Sequence, residues 1–249
     1  MIRPLALALI LAVTAGPVAA KPAASAVYKA ALADPARPAA DRERDAVRKP
    51  AELLAFAQVK PGQKVGDYVM GGGYVTRLLA AAVGGSGKVY AFQPAEFIAF
   101  KKQYGDDQAA VDAAYANVDA IGGSFAAPAF PEPLDTIITV QNFHDLYLKP
   151  FPAGTGDKAS AALFAALKPG GTLIVVDHHA AKGSGTTLSD SLHRIDKAAV
   201  IATLTKAGFK LEAESKLYSQ PSDPRTANVF DASIRGKTDQ FTLRFRKPR

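Results

Sequence analysis

The chain has 249 residues, 48% of them hydrophobic and 21% charged, with 20 Gly, 17 Pro and no Cys. This composition excludes a disordered chain, a collagen-like repeat and a disulfide-stapled mini-protein. Without cysteine there is no disulfide, thiolate zinc site, iron–sulfur cluster or cysteine nucleophile. The formal charge is +7, from 30 basic and 23 acidic residues. The basic clusters are short (Arg48-Lys49, Lys101-Lys102, Arg244-Phe245-Arg246-Lys247) and there is no Trp, so they read as solvated surface and not as a nucleic-acid face.

Residues 1–20 have the pattern of a signal peptide: Arg3 in a short basic start, an apolar run over residues 5–15, and Val18-Ala19-Ala20 at its end. The run falls short of the roughly 20 apolar residues that span a bilayer, and no later stretch approaches that length. The expectation is an exported protein, placed in a bacterial periplasm, without stable membrane insertion. Residues 21–40 are rich in Ala and Pro, lack periodicity and read as a tether. A single domain is expected over residues 41–249.

From Asp41 the pattern is helical, interrupted at Pro50. A β-like run over 64–70 leads into Gly71-Gly72-Gly73, a helix over 74–83, a glycine turn and a second strand over 88–93. Strand, glycine turn, helix, strand is the signature of a right-handed βαβ crossover. Helices are expected over 96–104 and 108–115, and a third strand over 116–121. A buried fourth strand follows over 134–141, then a helix over 158–167. Lys168-Pro169-Gly170-Gly171 is a turn before a fifth strand over 172–177. A helix over 193–207 ends at Gly208, and strands over 210–217 and 240–245 close the chain. In the last, Phe241, Leu243 and Phe245 alternate with Thr242, Arg244 and Arg246, the period of a half-buried strand. Alternating elements of this kind build a mostly parallel sheet with helices on both faces, here with an antiparallel edge hairpin at the C-terminus.

Ligands of such sheets sit beyond the carboxyl ends of the strands, at the switch point beside the first one. Gly71, Gly72 and Gly73 fall there, and the helix opening at Tyr74 aims free N–H groups at the same place. Asp67 lies inside the strand, close to the turn. The position of a ribose-binding acid, about 20 residues on, holds Gln93, with Glu96 just beyond. The unit favours a nucleotide-type ligand.

Val65-Gly66-Asp67-Tyr68-Val69-Met70-Gly71-Gly72-Gly73-Tyr74 resembles motif I of class I S-adenosylmethionine-dependent methyltransferases. Leu134-Asp135-Thr136-Ile137-Ile138 is similar to their motif IV, and Leu167-Lys168-Pro169-Gly170-Gly171-Thr172-Leu173 to the turn before their fifth strand. Residues 41–248 further resemble a family of exported predicted methyltransferases, through Arg44-Asp45, Arg48-Lys49-Pro50, Asn142-Phe143-His144-Asp145, Asp177-His178-His179, Leu192-His193-Arg194-Ile195-Asp196 and Ile234-Arg235-Gly236-Lys237-Thr238-Asp239. The resemblance implies a Rossmann-like class I methyltransferase fold, an α/β/α sandwich around seven strands. It also implies S-adenosyl-L-methionine as cofactor and methyl transfer to a small-molecule acceptor. Its cofactor contacts would be Asp67, Gly71, Gly72, Gly73, Tyr74 and Gln93, joined by Ser124 and Asn142. Two residues depart from the usual motif: Val69 replaces the first glycine of GxGxG, and Gln93 the ribose-binding acid.

His144-Asp145 follows the fourth strand and Asp177-His178-His179 the fifth, so these groups are expected on one rim with the glycine turn. His144 is the candidate base for the acceptor proton, oriented by Asp145, with His178 beside it. His179 is expected to face solvent or a helix. His193, Arg194, Arg44, Arg48, Arg235 and Lys237 are candidate contacts to an anionic acceptor. His144, His178 and Asp177 or Asp145 also offer donors to a divalent metal in a hydrolase, but the spacing matches no strict metal motif and no metal is assigned. A non-catalytic ligand-binding protein on the same fold is the other alternative.

Overall fold

The computed structural model describes residues 26–249; the expected leader, residues 1–20, lies outside the described residues. Seven strands form one sheet: β1 (Lys64–Tyr68), β2 (Lys88–Pro94), β3 (Val118–Gly123), β4 (Leu134–Val140), β5 (Leu167–His178), β6 (Lys210–Ser215) and β7 (Gln240–Arg246). Their order is β3-β2-β1-β4-β5-β7-β6. Pairs among β1 to β5 are parallel, whereas β7 runs antiparallel to both β5 and β6. This is the seven-stranded α/β fold that the sequence pattern and the resemblance imply. The C-terminal pair is antiparallel, but β7 is not the edge: it inserts between β5 and β6. Both its hydrogen-bonding edges are therefore paired, and Arg244 lies over the Phe56 ring at 5.1 Å.

Helices α1 (Ala26–Leu32), α2 (Ala39–Arg42), α3 (Asp45–Arg48) and α4 (Pro50–Ala57) precede the sheet. The tether expectation fails over α1. Ala31 is fully buried, Val27, Tyr28 and Leu32 pack on the core, and the Tyr28 hydroxyl donates to the Val59 carbonyl at 2.9 Å. Alanine, the best helix former, supplies a surface small enough to pack closely. Helix α5 (Tyr74–Val83) is the βα crossover; α6 (Ala95–Phe100) and α7 (Gln103–Ala114) replace the expected 96–104 and 108–115 helices. Helices α8 (Thr155–Ala166), α9 (Ser189–Leu192) and α10 (Lys197–Lys206) complete the fold.

The expected helix over 193–207 does not begin at His193. That residue takes the left-handed conformation (φ 52°) and ends α9. The chain then crosses as a short extended segment, with Ile195 bridging to His179, before Asp196 caps α10 through the Ala198 N–H. Two apolar cores flank the sheet. One, between α1, α4, α5 and the sheet, holds Leu54, Leu78 and Leu79; the other, on the α8 and α10 side, holds Phe143, Leu163, Leu204 and Phe245.

Candidate functional site

A cavity of about 1070 Å³ opens at the carboxyl ends of β1, β4 and β5. Asp67, Gly71, Gly72 and Tyr74 from the first crossover line it, together with Glu96, Asn142, His144, Asp145, His178, His193, Arg44 and Arg48. The expected convergence of the glycine turn with the His/carboxylate groups is thus found. Phe97, Phe100, Tyr104, Phe151 and Phe230 add an apolar wall that no periodic pattern in the sequence marks.

The β1–α5 turn owes its shape to residues with positive φ. Val69 (φ 67°), Gly71 (φ 55°) and Gly73 (φ 80°) are all left-handed. Open space surrounds the site of a Cβ on Gly71, whereas one on Gly73 would meet Val111 Cγ2 at 2.6 Å. Gly71 therefore leaves room at the cavity, and Gly73, which does not line it, permits helix packing. For a β-branched residue the Val69 conformation is strained. It is held by the Val69 and Met70 N–H groups, both donating to the Phe92 carbonyl at 3.0 Å. Asn142 Nδ2 adds a bond to the Val69 carbonyl at 3.2 Å and one to Val140 at 2.7 Å. Asn142 thus lines the cavity while tying the β4 exit to the turn.

Asp67 accepts the Thr76 hydroxyl at 2.6 Å. Burial dominates over the Thr76 hydrogen bonds and pushes its carboxyl up to about 6. Gln93 is fully buried and folded back: its Oε1 accepts the Gly71 N–H at 3.0 Å, and its Nε2 has no partner among the described residues. It does not line the cavity. Glu96 does, and it is fixed by the Phe125 N–H at 3.0 Å and the Ser124 hydroxyl at 3.2 Å. Ser124, itself expected at the ligand, instead positions this carboxylate.

The His/carboxylate cluster is tightly tied. Asp177, fully buried, accepts from the His144 backbone N–H and bonds its ring Nδ1, both at 2.8 Å. On the other side His144 Nε2 lies 3.1 Å from Asp145 Oδ1. Burial alone would lower the His144 pKa, but the charges and hydrogen bonds of Asp177 and Asp145 outweigh it and raise the value to about 10. His144 therefore holds a proton at neutral pH and is not the free base expected of it. His178 is the opposite case. Its Nδ1 bonds Thr238 Oγ1 at 2.8 Å, its Nε2 has no hydrogen-bond partner among the described residues, and burial lowers its pKa to about 4. His193 packs edge-on against His144 (5.4 Å between ring centroids) and Phe230 (4.9 Å), with Nδ1 3.9 Å from Asp145 Oδ1. Burial would raise the Asp145 carboxyl; the His144 and His193 imidazoles hold it below the usual range. His179 points away and stacks edge-on against Phe241.

Of the basic candidates, Arg194 is a structural strut. Fully buried, it pairs with Asp223 at 2.8 Å and donates to the Ala227 and His179 carbonyls. Lys237 is exposed and lines neither this cavity nor the adjoining one of about 510 Å³; Arg235 lines only the latter. Arg48 lines both, yet its guanidinium donates to no described residue and rests over the Tyr74 ring at 5.0 Å. Burial and the nearby Arg44 charge lower its pKa. Tyr74 in turn donates to Asp45 at 2.7 Å, and Arg37 grips the same carboxylate at 2.6 Å, so the N-terminal segment is anchored to the mouth of the site.

No protein-family model matches the chain, and no curated protein matches it. Solved structures do share its fold. A SAM dependent methyltransferase from Aquifex aeolicus superposes with a TM-score of 0.57 at 19% identity, over 87% of this chain and 96% of that one. A TehB-like SAM-dependent methyltransferase from Corynebacterium glutamicum gives 0.53 at 14% identity, over 84% and 95%. The cyclase SpnF gives 0.59 at 16% identity, over 82% and 81%. At these identities the likeness establishes the Rossmann-like methyltransferase fold, on which more than one chemistry is built.

Proposed function

We propose that the chain is an S-adenosylmethionine-dependent methyltransferase acting on a small molecule that bears an anionic group. The observation that carries this reading is the left-handed Val69–Gly71 turn opening, with Asp67 and Glu96, into the same cavity as His144, Asp145 and His178. The residues fit the cofactor: open space at Gly71 admits a ligand against the backbone, and two carboxylates face a cavity with room for cofactor and acceptor.

When bound, S-adenosylmethionine supplies a methyl group on a positively charged sulfur. Asp67 offers a buried carboxylate to the cationic part of such a ligand. Glu96 takes the ribose-side position, three residues beyond Gln93. Phe97 and Phe151 exclude water around the reacting atoms, and Arg48 offers an unspent guanidinium to an acceptor carboxylate or phosphate. His178, neutral and lining the cavity, takes the proton that the acceptor loses on its unbonded Nε2, while Thr238 fixes the ring through Nδ1.

Calorimetric titration of the full chain with S-adenosylmethionine and its demethylated product tests the reading. The expected outcome is one site per chain; no binding at millimolar ligand overturns it. One second reading, a binding protein without turnover, is favoured by His144, which Asp177 and Asp145 keep protonated where a base was expected. That reading predicts cofactor affinity with no methyl transfer to any acceptor.

A further inference from the structure

The geometry points to a divalent transition-metal site built from His144 Nε2, Asp145 Oδ1 and His193 Nδ1, on the wall of the cavity. We infer that it takes a zinc-class ion with open positions toward the acceptor.

One ligand atom from each of these three residues lies within 4.8 Å of the other two. Ligands held about 2.1 Å from one ion at tetrahedral or octahedral angles are about 3.0–3.5 Å apart. The His144–Asp145 pair, at 3.1 Å, has that spacing already. The His193–Asp145 pair, at 3.9 Å, is too long for a hydrogen bond and needs a shift of a few tenths of an ångström. His193 can supply it, because its side chain is 26% exposed, donates no hydrogen bond within 3.5 Å to a described residue, and makes edge-on ring contacts with His144 and Phe230. His144 cannot turn away: Asp177 holds both its backbone N–H and its Nδ1, which directs Nε2 toward Asp145. A buried carboxylate behind a ligating imidazole is the usual support of a metal-bound histidine.

Two imidazoles and one carboxylate suit zinc, cobalt, nickel or ferrous iron better than magnesium or calcium, which prefer all-oxygen sets. All three ligands line the cavity, so the remaining positions face the ligand space. The ion takes the place of the proton on His144 Nε2, which leaves to solvent. An acceptor hydroxyl bound at an open position would be acidified: its O–H bond breaks as the proton passes to His178 Nε2, and the metal holds the oxygen anion. This last role rests on the methyltransferase reading; ion binding itself does not.

The test uses the full chain stripped with a chelator and titrated with Co²⁺, read by its visible absorption, and with Zn²⁺, read calorimetrically. One ion per chain is expected, with affinity reduced at least tenfold in His193→Ala and Asp145→Asn. Asp177→Asn, which removes only the support, should reduce it about 10–100-fold, and His179→Ala, outside the cavity, should leave it unchanged. Thermal unfolding of each variant shows that it is folded, and His193→Gln serves should His193→Ala not be. Absence of binding at millimolar ion, or equal affinity in His193→Ala and Asp145→Asn, overturns the site. Cofactor titration of the same stripped protein separates the two proposals: cofactor binding without ion binding removes only the metal site, and the reverse removes only the methyltransferase reading.

Discussion

Asp177 grips His144 at two points, accepting its backbone N–H and bonding its ring Nδ1, each at 2.8 Å. The residues stand 33 positions apart, one at the end of β5 and the other just past β4, so this carboxylate welds two neighbouring strand ends at the cavity floor. Its loss would leave an imidazolium in a buried place with only Asp145 as partner. In metal-free protein, Asp177→Ala should lower unfolding free energy by about 3–5 kcal/mol, the range for breaking a buried charged pair by removing one member. Asp177→Asn, which keeps an acceptor for the N–H, should lose less. Denaturant midpoints at constant slope read both; an Asp177→Ala loss under 1 kcal/mol would contradict the assignment.

The histidine that can accept a proton is His178. With any acceptor that supports turnover, His178→Ala should lower the rate about 10²–10⁴-fold, the usual contribution of a positioned base. Its cofactor affinity should change less than threefold, because the cofactor carboxylate partners lie elsewhere. Release of S-adenosylhomocysteine and calorimetry read the two quantities; unimpaired turnover would move the base to another group.

The fold was legible because it is written in local patterns. The β1 run, the glycine turn after it and the apolar β4 and β5 segments each announce themselves within ten residues, and parallel-sheet topology then brings the strand ends to one rim. Which polar side chain points where was not legible, since that is decided by partners far along the chain. Arg194 has the type and place of a substrate contact, yet Asp223, 29 residues on, takes its charge inside the protein. Gln93 has the ribose position and turns inward because the Gly71 N–H needs an acceptor. His144 and His178 are indistinguishable by type; both are buried, but two bonded carboxylates keep the first charged, whereas burial prevails at the second and leaves it neutral.

Asp67 gives a pH test. Its folded value, about 6, lies above the ordinary 3.8, so the fold favours its neutral form. Stability from this group is fully present below pH 3.8 and is lost as pH rises through 6, by about 3 kcal/mol. A cationic ligand has the opposite preference, and its affinity should climb over the same interval. Asp67→Asn should flatten both profiles; a wild-type cofactor affinity independent of pH between 5 and 8 would separate Asp67 from the ligand.

Arg48 should matter to ligands and little to folding. Its guanidinium has no carboxylate partner among the described residues and sits beside Arg44. Arg48→Gln should leave the denaturant midpoint unchanged or slightly raised, while weakening a carboxylate-bearing ligand by about 1.5–3 kcal/mol, or roughly 10–150-fold. Equal affinity for charged and amidated ligands in the wild-type protein would remove the anion-binding role.

Val69 offers the sharpest test of the turn. It is buried, 4% exposed, and left-handed at φ 67°, where a side chain costs about 1–2 kcal/mol. Truncation to alanine forfeits the buried methyls and keeps the strain. Truncation to glycine forfeits slightly more side chain but removes the strain, and glycine's unfolded-state entropy returns only about 0.5–1 kcal/mol of that gain. The usual order should therefore vanish or reverse, with Val69→Gly as stable as Val69→Ala or up to about 1 kcal/mol more so. Urea unfolding of the two variants reads the difference. A glycine variant less stable by the ordinary margin would mean that the left-handed backbone at this position carries no strain.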